Sequence, residues 1–145
     1  MKKMWITLVV ILTLLCGCQA NENTNASDYG DDILKAQEIA VISPDTSKVI
    51  DTITDAEEIE DFILALNLDQ WEFKPLPDEA FEIGSFGLAQ EETIKLGQID
   101  TDGTLYDIAT ITLYNGDYIS FEIGGFDMTF EVSEDTVDYL NEYFE

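Results

Sequence analysis

Apolar and polar residues alternate most regularly in the last third of the chain. Leu105 to Tyr114, Tyr118 to Ile123 and Phe126 to Val132 each place every second side chain on one face, the two-residue period of a half-buried strand. In the last run Phe126, Met128, Phe130 and Val132 face one way and Asp127, Thr129 and Glu131 the other, so one face of this sheet should be covered and the other wet. Asn115-Gly116 and Gly124-Gly125 join the three runs. Asn-Gly supplies the positive φ angles that a type I′ hairpin requires, and Gly-Gly can do the same. Upstream, Glu38 to Ile42 and Lys48 to Ile53 are β-rich runs separated by the turn formers Ser43-Pro44-Asp45-Thr46-Ser47, which predicts a further hairpin.

Helical spacing takes over directly afterwards. Thr54-Asp55-Ala56-Glu57 matches a capping box opened by Thr54, and Ile59, Phe62, Ile63 and Leu66 then recur on one face, predicting a helix over about 55–67. Ser133 should cap a second helix over about 134–144, with Val132 and Val137 as the hydrophobic staple and Val137, Leu140 and Phe144 as its apolar stripe. Between the helices, Trp71 to Lys74 alternates until Pro75 and Pro77 end it, and Phe81 to Leu88 resumes strand character with a slip that predicts a bulge near Gly84. Thr93 to Ile99 reads as the next strand and Asp102-Gly103 as a tight turn. Two helices with single apolar stripes and a sheet with one apolar face specify an α+β fold in two layers. The expected domain spans 31–145, an antiparallel meandering sheet of about six to eight strands with both helices on one face.

The N-terminal segment follows a different logic. Lys2 and Lys3 precede Trp5 to Leu15, which is apolar apart from two threonines and shorter than the roughly 18 residues a spanning helix needs. The quartet Leu15-Cys16-Gly17-Cys18 resembles the bacterial lipobox. The resemblance implies cleavage between Gly17 and Cys18, a diacylglyceryl thioether on Cys18, and loss of residues 1–17 together with Cys16. Membrane association would then run through the lipid, on the extracytoplasmic face of the cell membrane, since each buried methylene contributes about 0.8 kcal/mol and two acyl chains hold where one does not. A Cys-x-Cys metal or redox site is the competing reading, but the chain has no histidine and no third cysteine to complete a ligand set. Gln19 to Ser27 contains no large apolar side chain, so residues 18–30 are expected to form a flexible polar tether.

Charge narrows the partners. The chain carries 31 Asp plus Glu against 6 basic residues, all of them lysine, and Lys2 and Lys3 belong to the signal. Nucleic acid is excluded as a partner, because phosphate binding depends on clustered Lys and Arg. Three readings of such acidity stay open: a solvated, self-repelling surface, binding of divalent cations, and docking to a basic extracellular or membrane protein.

The order of hairpin, Ile53-Thr54-Asp55 helix with Ile59, meandering strands and a final helix with Tyr139-Leu140 and Tyr143-Phe144 resembles the small, functionally uncharacterised lipoproteins of Gram-positive bacteria. It is also similar to domains of unknown function on sensor-type proteins. The resemblance rests on core and cap positions and implies no catalytic residue. The residues themselves agree: without histidine, arginine or a free thiol after lipidation, and without a Gly-rich phosphate loop or nucleophile elbow, the usual bases, clamps and nucleophiles are missing. Paired carboxylates could still serve a hydrolase, but among 31 acids such pairs arise by chance. The expected function is a non-catalytic interaction or sensory domain without a cofactor, with calcium binding as the alternative. Asp100, Asp102 and Asp107 around Gly103 are the candidate calcium ligands, although an EF-hand alignment would put Gln98 and Ala109 at ligand positions. Tyr106, Tyr114 and Tyr118 share a parity across one hairpin and form the candidate binding patch.

Overall fold

Asp55, not Thr54, starts the principal helix. In the computed structural model, which describes residues 30–92, 94, 96 and 100–145, Asp55 is extended and its Oδ1 accepts from the backbone N–H of Glu57 at 3.0 Å and Glu58 at 3.2 Å. A carboxylate satisfies two orphan N–H groups and also meets the positive end of the helix dipole, so it displaces the neighbouring threonine as cap. Helix α2 then runs Ala56–Ala65, and Asn67 turns left-handed at φ 49° beyond it. A short helix not expected from the pattern, α1 (Gly30–Ile33), precedes it and buries Ile33. Helix α3 covers Glu134–Asn141 and tightens into a 3-10 turn at Glu142–Phe144. Ser133 caps it as expected, and Val132 and Val137 are both buried at the staple positions.

The strands are β1 (Glu38–Ile42), β2 (Val49–Ile53), β3 (Glu72–Phe73), β4 (Glu82–Glu91), β5 (Leu105–Tyr114), β6 (Tyr118–Ile123) and β7 (Phe126–Glu131). Among the described residues they form one sheet in the order β2-β1-β4-β5-β6-β7-β3, and each neighbouring pair is antiparallel. The fold is therefore α+β, with helices covering one face of the sheet. Ile39, Phe86, Leu88, Ile111, Ile119 and Phe121 point from that face into a single apolar cluster with Ile59, Phe62 and Leu66 of α2 and Val137 and Leu140 of α3. Phe126, expected on the covered face, pairs with Ile123 at the tip of the β6–β7 hairpin and is 69% exposed.

Among the described residues three bulges shape the sheet. Ile83 is the extra residue opposite the Leu113–Tyr114 step, beside the expected irregularity at Gly84. Gly84 is needed there, because a methyl group at its α-carbon would fall inside the Phe144 ring. Ile108 is an extra residue in β5, and Ile50 an extra residue in β2. Gly124 and Gly125 both take positive φ and close a two-residue hairpin, as expected. Asn115-Gly116 does not form a type I′ turn. Tyr114 pairs with Tyr118, so three residues close the β5–β6 hairpin, and of these Gly116 has positive φ whereas Asn115 does not. Asn115 is engaged elsewhere: its N–H donates to Phe81 O at 3.0 Å and its Oδ1 accepts from Phe81 N at 2.7 Å. Asp102-Gly103 is likewise not a hairpin turn, because Glu91 pairs with Leu105 and the connection between β4 and β5 spans 92–104. The expected strand over 93–99 falls largely outside the described residues.

The two helices are joined at their ends. Trp71 Nε1 donates to Leu66 O at 2.6 Å, and the fully buried Thr136 hydroxyl of α3 donates to Ala65 O at 3.1 Å. These bonds satisfy carbonyls that the C-terminus of α2 leaves without intrahelical partners.

Candidate functional site

Residues from a strand and from both principal helices converge on the helix side of the sheet beside β2. Ile53 pairs with Ile39 and Asp51 with Val41, both of which face the helices, so Asp51 points to the helix side of the sheet. Glu58 and Asp61 stand three apart on α2 and share a ridge next to its apolar stripe. Tyr139 and Tyr143, four apart at the end of the chain, present their hydroxyls to one another at 3.0 Å. Together with Thr52 and Ile53 these residues line a cleft of about 310 Å3.

The cleft has an aromatic foundation. The Tyr143 ring meets Phe62 with centroids 5.9 Å apart and Phe86 at 5.5 Å, and the Tyr139 ring meets Phe62 at 6.1 Å. Burial is the main reason the Tyr143 hydroxyl is pushed well above the ordinary tyrosine range, followed by its bond with Tyr139 and the negative charges of Glu58 and Asp51. The Tyr143 hydroxyl therefore keeps its proton, and the wall sets two phenol side chains beside carboxylates. Thr52 N donates to Asp51 Oδ1 at 2.8 Å and holds that carboxylate against the strand. Such a set suits a cation with hydrogen-bond donors. Its sequence signal was the pairing of Glu58 with Asp61 and of Tyr139 with Tyr143 at helical spacing; nothing local brings Asp51 to them.

The candidate tyrosine patch is not assembled. Tyr114 and Tyr118 are direct cross-strand partners, both half-buried. Tyr106 lies eight residues further along β5, roughly 26 Å away at strand rise. The extra residue Ile108 also reverses its parity: Ala109 pairs with inward-facing Leu88, whereas Tyr106 pairs with Gln90, which shares Leu88's side. Tyr118→Ser should cost about 1 kcal/mol, the scale of one cross-strand pair. Chemical denaturation checks it, and a loss above 3 kcal/mol would make Tyr118 part of the core.

Asp100 and Asp102 sit with Glu92 and Thr101 around a second cleft, of about 230 Å3, whereas Asp107 belongs to β5 and pairs with Ala89. Each loop carboxylate serves its own backbone: Thr101 N donates to Asp100 at 2.9 Å, and Thr104 N donates to Asp102 at 2.9 Å, which lowers the Asp102 pKa. The three candidate ligands are thus split between two elements. Among the described residues no group of three or more His, Cys, Asp or Glu gathers as a metal cage would. Cys18 and Gly17 lie outside the described residues, within which no helix is long and apolar enough to cross a membrane. A third cleft, of about 350 Å3 and largely apolar, lies between the segment after α1 and the start of α2, lined by Leu34, Ala36, Ile59 and Ile63 among others.

No protein-family model matches the chain, and no curated protein does. A solved structure described as a thioesterase-like protein from Clostridium sporogenes ATCC 15579 is similar at a TM-score of 0.45 and 15% identity, over 75% of this chain and 94% of its own. A likeness this loose carries no residue role across. What the described site itself offers is a carboxylate and phenol cleft at the edge of an α+β sheet.

Proposed function

We propose that this chain is an exported lipoprotein, anchored on the extracytoplasmic face of the cell membrane through diacylglyceryl Cys18, whose domain acts by binding rather than by catalysis. The anchor rests on Leu15-Cys16-Gly17-Cys18 at the end of a short apolar segment with a basic start. The binding reading rests on the cleft beside β2. Its carboxylates and phenol oxygens can together hold a cationic group that carries hydrogen-bond donors. No ligand set for a cofactor is part of the proposal.

Cys18→Ser tests the anchor. The wild-type protein should sediment with membranes and carry an acylated N-terminal cysteine by mass spectrometry. The variant should accumulate as uncleaved precursor or as unlipidated protein. Recovery of the same acylated N-terminus from the variant, or a free thiol at residue 18 in cytosolic wild-type protein, would refute the assignment.

A further inference from the structure

Resting on the binding reading above, we infer that the β2 edge and its adjoining cleft take a short, extended, cationic segment of a partner protein, with a Lys or Arg side chain seated among Asp51, Glu58 and Asp61. Strand β2 pairs with β1 on one side and has no strand on the other among the described residues. An unpaired edge presents N–H and C=O groups that an added strand can satisfy. An incoming carbonyl would take over Thr52 N from Asp51 Oδ1, which now accepts from it at 2.8 Å, and so release that carboxylate for the cation. Val49 and Ile50 stand more than half exposed on it, so the edge also offers apolar surface to a neighbour. The other edge, β3, is two residues long and runs into Pro75 and Pro77, which blunt it.

Charge selects the occupant. No ion pair among the described residues engages Asp51, Glu58 or Asp61; the lysine bridges there join Lys35 to Asp32 and Lys74 to Glu72 and Glu131. A second copy of a chain with a net charge of −25 would be repelled, and the bulge at Ile50 interrupts the long regular pairing that sheet-to-sheet dimerisation needs. A short segment needs pairing only around Asp51 to Ile53. The residue opposite Asp51 points, as Asp51 does, to the helix side, which delivers its cationic head to the carboxylates and to the hydroxyls of Tyr139 and Tyr143.

The test titrates the full acylated chain, in zwitterionic detergent, with an alternating Arg-Val hexapeptide and with its Glu-Val counterpart. The Arg peptide should shift and protect amides of Val49 to Ile53, and the Glu peptide should not bind. Asp51→Asn with Glu58→Gln and Asp61→Asn should weaken binding at least tenfold. Neutralising three exposed acids at the far side of the sheet (Asp117→Asn, Glu122→Gln and Asp127→Asn) should change it less than twofold. Equal losses in the two triple variants, amide shifts spread over the acidic surface, or no binding at millimolar peptide would each overturn the proposal. Crosslinking in intact cells separates the two levels. No crosslinked partner at all refutes the binding reading, whereas a partner crosslinked only away from β2 refutes this site alone.

Discussion

Phe62→Ala should lower the stability of the domain by about 3–5 kcal/mol, the range for removing a buried aromatic ring that its surroundings cannot close over. Phe62 is fully buried on the inner face of α2 and contacts three other rings: Phe86 at 5.1 Å, Tyr143 at 5.9 Å and Tyr139 at 6.1 Å. It joins α2 to the sheet through Phe86 and to α3 and its terminal turn through Tyr139 and Tyr143, so rings anchored on separate layers cannot all move in to fill the space. Against a total stability of roughly 5–15 kcal/mol this is about a fifth or more of the margin. The midpoint of thermal unfolding should fall by at least ~10 °C, given a few degrees per kcal/mol for a domain of this size. Phe62→Leu should cost less than half as much. A fall below ~3 °C for the alanine variant would mean that α2 is not packed on the sheet through this ring. The same substitution should also loosen the cleft, because Tyr139 and Tyr143 rest on Phe62.

Trp71→Ala is expected to be about as damaging, for a partly different reason. The indole is buried against Phe130 at 5.3 Å and Phe121 at 6.0 Å, and its Nε1–H donates to Leu66 O at the end of α2. Alanine removes both the ring and the donor, for a loss of about 3–5 kcal/mol. Trp71→Phe keeps most of the packing and should cost only about 1 kcal/mol more than the ring change itself, the net worth of one hydrogen bond. Urea unfolding followed by far-ultraviolet circular dichroism measures both, since the substitutions remove the fluorophore. If the phenylalanine variant is as unstable as the alanine one, the hydrogen bond and not the packing dominates at this position.

Most elements could be read from local pattern because their signals are dense and short in range. Strands β6 and β7 pair without a register shift, and the expected hairpin at Gly124-Gly125 forms between them. Where local preference met a tertiary partner, the partner won. Asn115 is compatible with a type I′ turn, but two hydrogen bonds to Phe81 hold it in another conformation. Thr54 fits a cap, yet the carboxylate one residue later binds two N–H groups and draws more from the helix dipole. The tyrosine patch failed on separation, with Tyr106 eight residues along β5 from Tyr114, and on one extra residue, because parity survives along a strand only while its register does, and Ile108 breaks it.

Hydrophobic periodicity, caps and Gly-rich turns act over one to four residues, and this is why the chain alone was enough to specify an α+β sandwich of one sheet and one helical layer, its hairpin at Gly124-Gly125 and its cap at Ser133. The cleft beside β2 obeys no such local rule. Asp51, Glu58 with Asp61, and Tyr139 with Tyr143 come from a strand, a helix and the chain's last turns, brought together by burial of Phe62 and Phe86 beneath them. Which of 31 acids come to line one cleft is therefore settled by packing in three dimensions, since charge along the chain is nearly uniform and carries no address.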